Sequence, residues 1–263
     1  MNYSAKFSKI EAWKEIYRWY TKWEQSLLLP GYDYLLDSKL SEIEEYLSIS
    51  RINALERCIH AAKDNANEWR KYNPKTTEEI NEFYKQSNIY IFDLMWWHSI
   101  TMGLSPLRRI NFLEFAIDQK ITKYLDYGCG IGSTGILFAK HGFDVTLADI
   151  GFYVLNFAKW RFQKRNLDLQ TIHLPCSLPK EKYELISSFD VLEHVKNLRE
   201  IVYDIYTALM PGGYFIFNFG GEEEEEEKYP QHINHDVHMI LEVMYKVGFK
   251  LLKIEDEYYY MEK

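Results

Sequence analysis

The sequence predicts an α/β protein: a doubly wound, mostly parallel sheet of seven strands, preceded by an all-helical N-terminal cap. Three observations predict it. The strand-like run Tyr124–Tyr127 passes through closely spaced glycines straight into a helical run. From Lys123 onward strand and helix patterns alternate, which is typical of a parallel sheet with helices on both faces. The first part of the chain shows only helical spacing of apolar residues. We therefore expect a cap over residues 1–106 and a ligand-binding α/β domain over residues 107–263.

Helices account for the whole N-terminal part of this prediction. Residues 1–74 show apolar and aromatic side chains at helical spacing, with turns at Leu29–Gly31 and Tyr72–Pro74. A further helix is predicted from the N-cap at Thr76 or Thr77 through His98, closed by Gly103 and Pro106, and another over Leu107–Lys120. Helix–helix packing is the common explanation of such aromatic stripes, and a cap over an active site is the alternative; both can hold at once.

The α/β part is predicted element by element. Its strands are Tyr124–Tyr127, Val145–Asp149, Leu169–Leu174, Leu185–Phe189 and Tyr214–Phe219, and its helices are Thr134–His141, Val154–Asn166, Leu198–Leu209 and Val237–Val247. The last two runs, Phe249–Ile254 and Tyr258–Met261, are expected to form a closing antiparallel pair. The run Glu222–Glu227 is expected to be a solvated loop.

Composition limits the partners. The 263-residue chain has a net charge of −8, which argues against nucleic acid, because phosphate binding needs a basic surface. Cys58, Cys129 and Cys176 are far apart and lack metal-ligand spacing. No signal peptide is visible and no apolar run is long enough to cross a bilayer. We therefore expect a cytoplasmic protein with reduced thiols and no membrane partner.

The loop that follows the first strand contains Gly128, Gly130 and Gly132. Glycines let a ligand approach the backbone closely at a helix N-terminus, where we expect unpaired N–H groups. Asp126, at the end of the strand, can accept a hydrogen bond from a ligand ammonium. Asp149 ends the next strand, 17 residues after Gly132, where a carboxylate can accept from both hydroxyls of a ribose.

From about Ile110 onward the chain resembles the class I S-adenosylmethionine (SAM)-dependent methyltransferases. The resemblance is carried by Leu125–Gly132, the acidic Asp149, Tyr183–Val195 and Leu209–Phe217, in that order. A nicotinamide dehydrogenase is the competing interpretation, but Ser133 stands where its third glycine belongs. The resemblance therefore implies a Rossmann-like domain that binds SAM.

The resemblance also implies further ligand contacts. Ile150 would line the adenine face, and Cys176 and Ser177 would meet the adenine edge, where the family tends to place an acidic residue, so backbone contacts would have to serve. Ser188 and Phe189 would lie near the methionine chain. Tyr90, with Trp97 and His98, is the candidate contribution of the cap, and packing is the alternative for each of the three.

The catalytic candidates are His194, Asp190 and Tyr153. His194 could act as a general base, or be a structural histidine bonded to backbone. Asp190 could cap a helix instead, and Tyr153 could simply pack. The triplet His232, His235 and His238 has a spacing that suggests a metal, but a helix start at Asp236–Val237 would leave His232 in the preceding loop, so we expect a substrate-facing loop and no metal.

These inferences predict a SAM-dependent methyltransferase that acts on a small molecule, for example one from secondary metabolism. The sulfonium methyl group is already activated, so alignment matters more than acid–base power, and no nucleophile or triad is needed. Two alternatives stay open: transfer or cyclisation of the aminocarboxypropyl arm of SAM, which releases methylthioadenosine, and a SAM-binding partner protein without catalysis. The sequence leaves the acceptor and the oligomeric state open.

Overall fold

A computed structural model describes residues 9–219, 229–233 and 236–263. The predicted glutamate run, Glu222–Glu227, and His235 lie outside these ranges. Within them the chain forms helices up to Asp118 and alternating strands and helices afterwards, as the sequence predicts. Along the same ranges, no helix combines the length and the apolar character needed to cross a membrane.

The N-terminal part is helical throughout. Its helices are α1 (Lys9–Leu27), α2 (Leu35–Leu47), α3 (Arg51–Tyr72), α4 (Thr77–Gln86) and α5 (Ile89–Trp97), and a 3₁₀ turn at Ser105–Arg108 leads into α6 (Arg109–Asp118). The predicted start of α4 carries a capping box, in which Thr76 and Glu79 each accept a hydrogen bond from the other's backbone N–H.

The single helix predicted from Thr76 to His98 is wrong, because it breaks into α4 and α5 at Ser87 and Asn88. Ser87 is extended, with φ −72° and ψ 123°. Serine and asparagine offer the backbone hydrogen bonds that compete with a helix, which explains a break between two apolar runs.

The sheet contains seven strands in the order β3-β2-β1-β4-β5-β7-β6. The strands are β1 (Lys123–Tyr127), β2 (Asp144–Asp149), β3 (Gln170–His173), β4 (Tyr183–Ser188), β5 (Leu209–Asn218), β6 (Lys250–Glu255) and β7 (Tyr258–Glu262). The helices between them are α7 (Ser133–Lys140), α8 (Phe152–Gln163), α9 (Leu198–Ala208) and α10 (Val237–Val247). Strands β1 to β5 pair in parallel, and β7 is antiparallel to both β5 and β6, which confirms the predicted doubly wound sheet and its closing pair.

Helices of the N-terminal part share their hydrophobic core with the α/β part. Trp23 and Leu27 of α1 belong to one buried cluster with Leu137 of α7. Phe92 of α5 belongs to another with Phe157 of α8. The boundary predicted at residue 106 therefore has apolar packing across it.

A buried ionic cluster adds a second connection. The carboxylate of Glu42 on α2 accepts hydrogen bonds from Arg161 Nε (2.8 Å) and from Arg165 Nη2 (2.8 Å), and all three side chains are buried. Arg161 Nη1 also donates to the carbonyl of Ile131 in the glycine loop (2.8 Å) and to Ser133 Oγ (3.0 Å) at the start of α7. A cap carboxylate thus holds the arginine that supports the glycine loop.

Candidate active site

A cavity of about 1060 Å³ opens beside the carboxyl ends of β1, β2 and β4. The strand order reverses between β1 and β4, and ligands of open α/β sheets bind at this position. The walls come from the glycine loop, the strand ends, helices α4, α5 and α9, and the segment 229–233. Regions far apart in the sequence therefore meet at one site.

Two of the three loop glycines face this cavity. Gly128 and Gly130 have positive φ angles of 74° and 51°. A Cβ atom on Gly128 would lie 2.2 Å from Val191 Cγ2, and one on Gly130 would lie 2.5 Å from Leu94 Cδ1 of α5. Both positions therefore favour glycine by conformation, and a side chain at either would also have to displace Val191 or Leu94.

The amides of Gly128, Cys129 and Gly130 all have partners within the protein, whereas the unpaired N–H groups predicted at the N-terminus of the following helix stay a prediction. The N–H groups of Gly128 and Cys129 donate to the carbonyl of Ala148, at 2.8 and 3.1 Å. The N–H of Gly130 donates to Asp149 Oδ2 at 2.7 Å. The end of β2 satisfies these groups, so a ligand meets a braced backbone and not a row of free donors.

Asp126 and Arg109 provide buried polar atoms that the protein leaves without partners. Asp126 Oδ1 accepts a hydrogen bond from Ser187 Oγ at 3.3 Å, while Asp126 Oδ2 has no partner. Burial raises the pKa of Asp126 to about 7, opposed by the charge of Arg109. Arg109 Nε and Nη1 are likewise buried without partners. A ligand with an ammonium and a carboxylate, such as the methionine part of SAM, fits these two groups.

Asp149 lies where the sequence predicts the ribose clamp. Its Oδ1 and Oδ2 accept from the N–H groups of Gly151 and Gly130, both at 2.7 Å. Each carboxylate oxygen has a further lone pair, so the side chain can accept from two ligand hydroxyls as well. Ile150 is half-buried beside it, Cys176 and Ser177 are exposed, and all three line the cavity. Their contact with adenine stays a prediction.

The cap contributes aromatic walls. Tyr90, Trp97 and His98 all line the cavity, together with Tyr84 of α4, whose ring centroid lies 5.6 Å from that of Tyr90. Both ring nitrogens of His98 are buried without partners, and burial lowers the pKa of its imidazole. Asp93 also lines the cavity, and burial raises the pKa of its carboxyl to about 6.

Asp190 and Phe189 follow β4 at the centre of the site. Asp190 has a left-handed φ of 56°; its N–H donates to Asn218 Oδ1 (2.8 Å), and its carboxylate accepts from Asn218 Nδ2 (2.6 Å) and Arg109 Nη2 (3.3 Å). Phe189 stacks on Phe112 with centroids 4.7 Å apart. Asp190 therefore caps no helix here; it positions Arg109 beside the cavity.

His194 also lines the cavity, and two hydrogen-bonding contacts orient its ring. Its Nδ1 lies 3.0 Å from the carbonyl oxygen of Gln231 and 3.0 Å from the hydroxyl of Tyr84. A carbonyl can only accept, so Nδ1 carries the proton and Nε2 keeps its lone pair. Burial lowers the pKa of His194 to about 4, so the ring is neutral at physiological pH. Glu193 and His232 lie next to it on the same wall.

Three predicted site residues lie elsewhere. Gly132 packs between β2 and α8, where a Cβ would lie 3.0 Å from Ala158 Cβ, because the loop has already turned into α7. The side chain of Ser188 is fully buried outside the cavity lining, and its neighbour Ser187 faces Asp126 instead, as alternation along β4 requires. Tyr153, 40% exposed, packs edge-on against Phe152 and is absent from the lining.

Sequence reasoning missed Arg109, Tyr84 and Asp93. For Arg109 a signal existed, because a basic pair, Arg108–Arg109, stands at the start of a mostly apolar helix that leads into β1. Tyr84 and Asp93 gave no comparable signal, since polar and aromatic residues are common on helices. Their proximity to the site follows from the break between α4 and α5, which the helical pattern does not predict.

The family described as "Methyltransferase domain" matches residues 97–239, more than half of the chain. The chain therefore belongs to the methyltransferase domain family. The predicted class, a SAM-dependent transferase with the class I fold, is confirmed.

The individual relatives share little sequence identity with this chain. The ubiquinone biosynthesis O-methyltransferase of Salmonella newport (strain SL254) is 27% identical over 133 residues, which cover 47% of this chain and 54% of that protein. This chain thus spans about half the length of the curated relatives it matches. A SAM-dependent methyltransferase structure from Mesorhizobium loti has a TM-score of 0.50 at 16% identity, covering 61% of this chain and 100% of that one. A protein structure from Pyrococcus horikoshii OT3 has a TM-score of 0.51 at 18% identity, covering 60% of this chain and 88% of that one. These two likenesses concern the fold, and they agree with the predicted Rossmann-like sheet.

Proposed function

We propose that this protein transfers the methyl group of SAM to an oxygen atom of a small-molecule acceptor. The observation that carries the proposal is that one cavity contains the cosubstrate residues and continues past Asp190 to His194 and the cap aromatics. Its volume of about 1060 Å³ lies at the upper limit of about 300–1000 Å³ for a drug-sized ligand, so two small molecules fit together. The curated O-methyltransferase relatives support oxygen as the acceptor atom.

The cosubstrate would be held by charge at one end and by hydroxyl recognition in the middle. Asp126 would accept from the ammonium through its unpartnered Oδ2, and Arg109 would donate Nε and Nη1 to the carboxylate. Asp149 would accept from the ribose hydroxyls, with Ile150 against the adenine face. SAM brings a methyl group that its sulfonium already activates, so the main task of these residues is alignment.

The contacts proposed for the adenine edge and for the sulfonium are less specific than those for the ammonium, the carboxylate and the ribose. Cys176 and Ser177 lie at the cavity edge and offer backbone groups to the adenine. Phe189 and Tyr90 line the same cavity, and aromatic faces attract a cationic sulfur. We propose that these two rings enclose the reacting centre.

The acceptor would lie against His194. Its Nδ1–H is fixed by Gln231, so Nε2 can accept a hydrogen bond from the acceptor hydroxyl. A general base works best when its pKa is near the operating pH, and burial keeps the pKa of His194 at about 4. We therefore assign His194 to orienting the acceptor more than to removing its proton, and Asp190 to positioning Arg109.

Product analysis tests this proposal. The full chain is incubated with SAM alone and with a panel of catechols, phenols, amines and thiols, and products are identified by mass spectrometry. We expect S-adenosylhomocysteine together with a methylated hydroxyl compound. Methylthioadenosine released without any acceptor, above the non-enzymatic background, would replace this proposal with aminocarboxypropyl chemistry.

SAM bound without turnover on any acceptor class would instead favour the non-catalytic partner. The methyltransferase names of the curated relatives support methyl transfer over both alternatives. The domain boundary at residue 106, the role in secondary metabolism and the cytoplasmic location stay predictions.

A further inference from the structure

Three side chains with metal-binding atoms meet on the acceptor wall of the cavity. They are Glu193 and His194, in a 3₁₀ turn after β4, and His232, in the segment 229–233. The ligand atoms of the three, one carboxylate oxygen and two imidazole nitrogens, all lie within 4.8 Å of one another. We propose that Glu193, His194 and His232 bind one divalent transition-metal ion.

The two segments that supply the ligands are joined by one backbone hydrogen bond and one hydrogen bond from a side chain to the backbone. The N–H of Ile233 donates to the carbonyl of Glu193 at 2.8 Å. His194 Nδ1–H donates in the opposite direction, to the carbonyl of Gln231 at 3.0 Å. Residues distant in the sequence are therefore held side by side before any ion binds, which lowers the cost of assembling the site.

The same hydrogen bond prepares His194 for coordination. Histidines that bind metals almost always donate their second ring N–H to a carbonyl or carboxylate, which fixes the tautomer and the ring orientation. The carbonyl of Gln231 has this role here and leaves Nε2 of His194 for an ion. When an ion is bound, the acceptor hydroxyl contacts the ion and no longer forms the direct hydrogen bond to Nε2. In a tetrahedral zinc site with bonds of about 2.0–2.2 Å the ligand atoms lie about 3.3–3.6 Å apart, so side-chain rotations that bring these atoms up to about 1.5 Å closer complete the site.

The donor set indicates the kind of ion and its role. Two imidazoles and a carboxylate suit Zn²⁺, Fe²⁺, Mn²⁺ or Co²⁺, whereas Ca²⁺ and Mg²⁺ prefer oxygen ligands alone. Three protein ligands leave a position open, as in catalytic and not in structural zinc sites. All three residues line the cavity, so that position faces the acceptor space.

The chemical role rests on the proposed oxygen methylation. A hydroxyl of the acceptor bound at the open position loses its proton to solvent more easily. Its oxygen then bonds to the methyl carbon while the methyl–sulfur bond breaks and its electron pair stays on sulfur. An ether and S-adenosylhomocysteine result.

Metal titration of the full chain tests the site directly. Protein treated with a chelator and desalted is titrated with Zn²⁺ by calorimetry and with Co²⁺ by visible absorption. We expect one ion per chain. His232→Ala is expected to weaken Zn²⁺ binding by roughly 100-fold or more, because losing a ligand should cost at least as much as the 10–100-fold that losing an outer-shell partner costs. His238→Ala is the matched control, because His238 is an exposed histidine on α10 outside the cluster, and it should bind like wild type.

Two results would overturn the site: wild type that binds neither ion, or His232→Ala that binds Zn²⁺ as tightly as His238→Ala. Circular dichroism and a SAM titration of each variant show that it is folded. Methyl transfer that continues unchanged in metal-free protein would remove the chemical role and leave the oxygen-methylation proposal intact. Failure to bind SAM would contradict the proposed function independently of the metal.

Discussion

Replacing Glu42 with glutamine should destabilise the protein strongly, although the change is nearly isosteric. The carboxylate lies under two buried guanidinium groups, and its three hydrogen bonds to Arg161 and Arg165 are 2.8–2.9 Å long. Burial alone would raise the pKa of Glu42, but the two arginines outweigh it and lower the pKa. Glu42 is therefore ionised in the fold, and Glu42→Gln leaves two buried cations without their counter-charge.

The magnitude follows from the burial. Removing one partner of a buried ion pair costs about 3–5 kcal/mol of unfolding free energy, because the remaining charge stays out of water. For a domain of this size each kcal/mol lowers the melting temperature by about 2–4 °C, so we expect a decrease of roughly 6–20 °C. Since the folded pKa of Glu42 is below its value in the unfolded chain, its stabilisation is present at neutral pH and is lost as pH falls through the folded pKa.

Glu45→Gln provides a matched control three positions along the same helix. Glu45 forms a 2.6 Å ion pair with Lys164 of the segment after α8, but the two side chains are 55% and 36% exposed. Exposed pairs contribute about 0–1 kcal/mol. Urea unfolding of wild type and both variants is followed by tryptophan fluorescence.

SAM binding provides a second measurement on the same variants, because the buried cluster also contacts the glycine loop. Arg161 holds the carbonyl of Ile131, so Glu42→Gln should also weaken SAM binding in calorimetry, and Glu45→Gln should not. If Glu42→Gln unfolds at the same urea concentration as Glu45→Gln, the cluster does not stabilise the fold as argued.

Three further predictions concern the cosubstrate residues. SAM affinity of the wild type should rise between about pH 6 and 8, because Asp126, with a pKa of about 7, must ionise to pair with the ammonium. Asp126→Asn should remove this rise, and a rise that persists in the variant would assign it to another group. Arg109→Met should weaken SAM binding by about 1.5–3 kcal/mol, while decarboxylated SAM, which lacks the carboxylate, should bind both proteins alike. Gly130→Val should weaken SAM binding more than Asp149→Ala, which should cost about 1.5–3 kcal/mol, because a side chain at position 130 meets Leu94 as well as a strained φ; equal losses in calorimetry would contradict this order.

The α/β half of the fold was predictable because each of its features has a local cause. Alternation of strand and helix patterns fixes a parallel sheet, and the positions of Asp126, Asp149 and Phe189 at or next to the carboxyl ends of its strands follow from it. The prediction for β5 was the weakest, since the strand begins at Leu209 and not at Tyr214. Its first residues include Pro211 and two glycines, and their low strand propensity predicts a turn. In the structure these residues are nevertheless part of the strand, because Leu209 pairs with Tyr183 of β4.

Long-range contacts account for what could not be predicted. Gly132 and Gly130 look alike in the sequence, but only packing against α8 or against α5 separates their roles. Likewise, the spacing of His232, His235 and His238 pointed to a set of histidines along one segment. The structure instead groups His232 with Glu193 and His194, because a backbone hydrogen bond joins segments that are remote in the chain.

The buried polar atoms without protein partners indicate which kind of ligand suits the site. Asp126 Oδ2, two nitrogens of Arg109 and both ring nitrogens of His98 are buried at one cavity, and each unsatisfied group costs about 1–3 kcal/mol. A hydrophobic core gains nothing from such groups, so packing does not account for them. A ligand that carries both an ammonium and a carboxylate satisfies Asp126 and Arg109 at once, whereas a dinucleotide without an ammonium satisfies only the arginine. The preference for SAM therefore depends on Asp126 of β1 and Arg109 of α6 as much as on the glycine spacing.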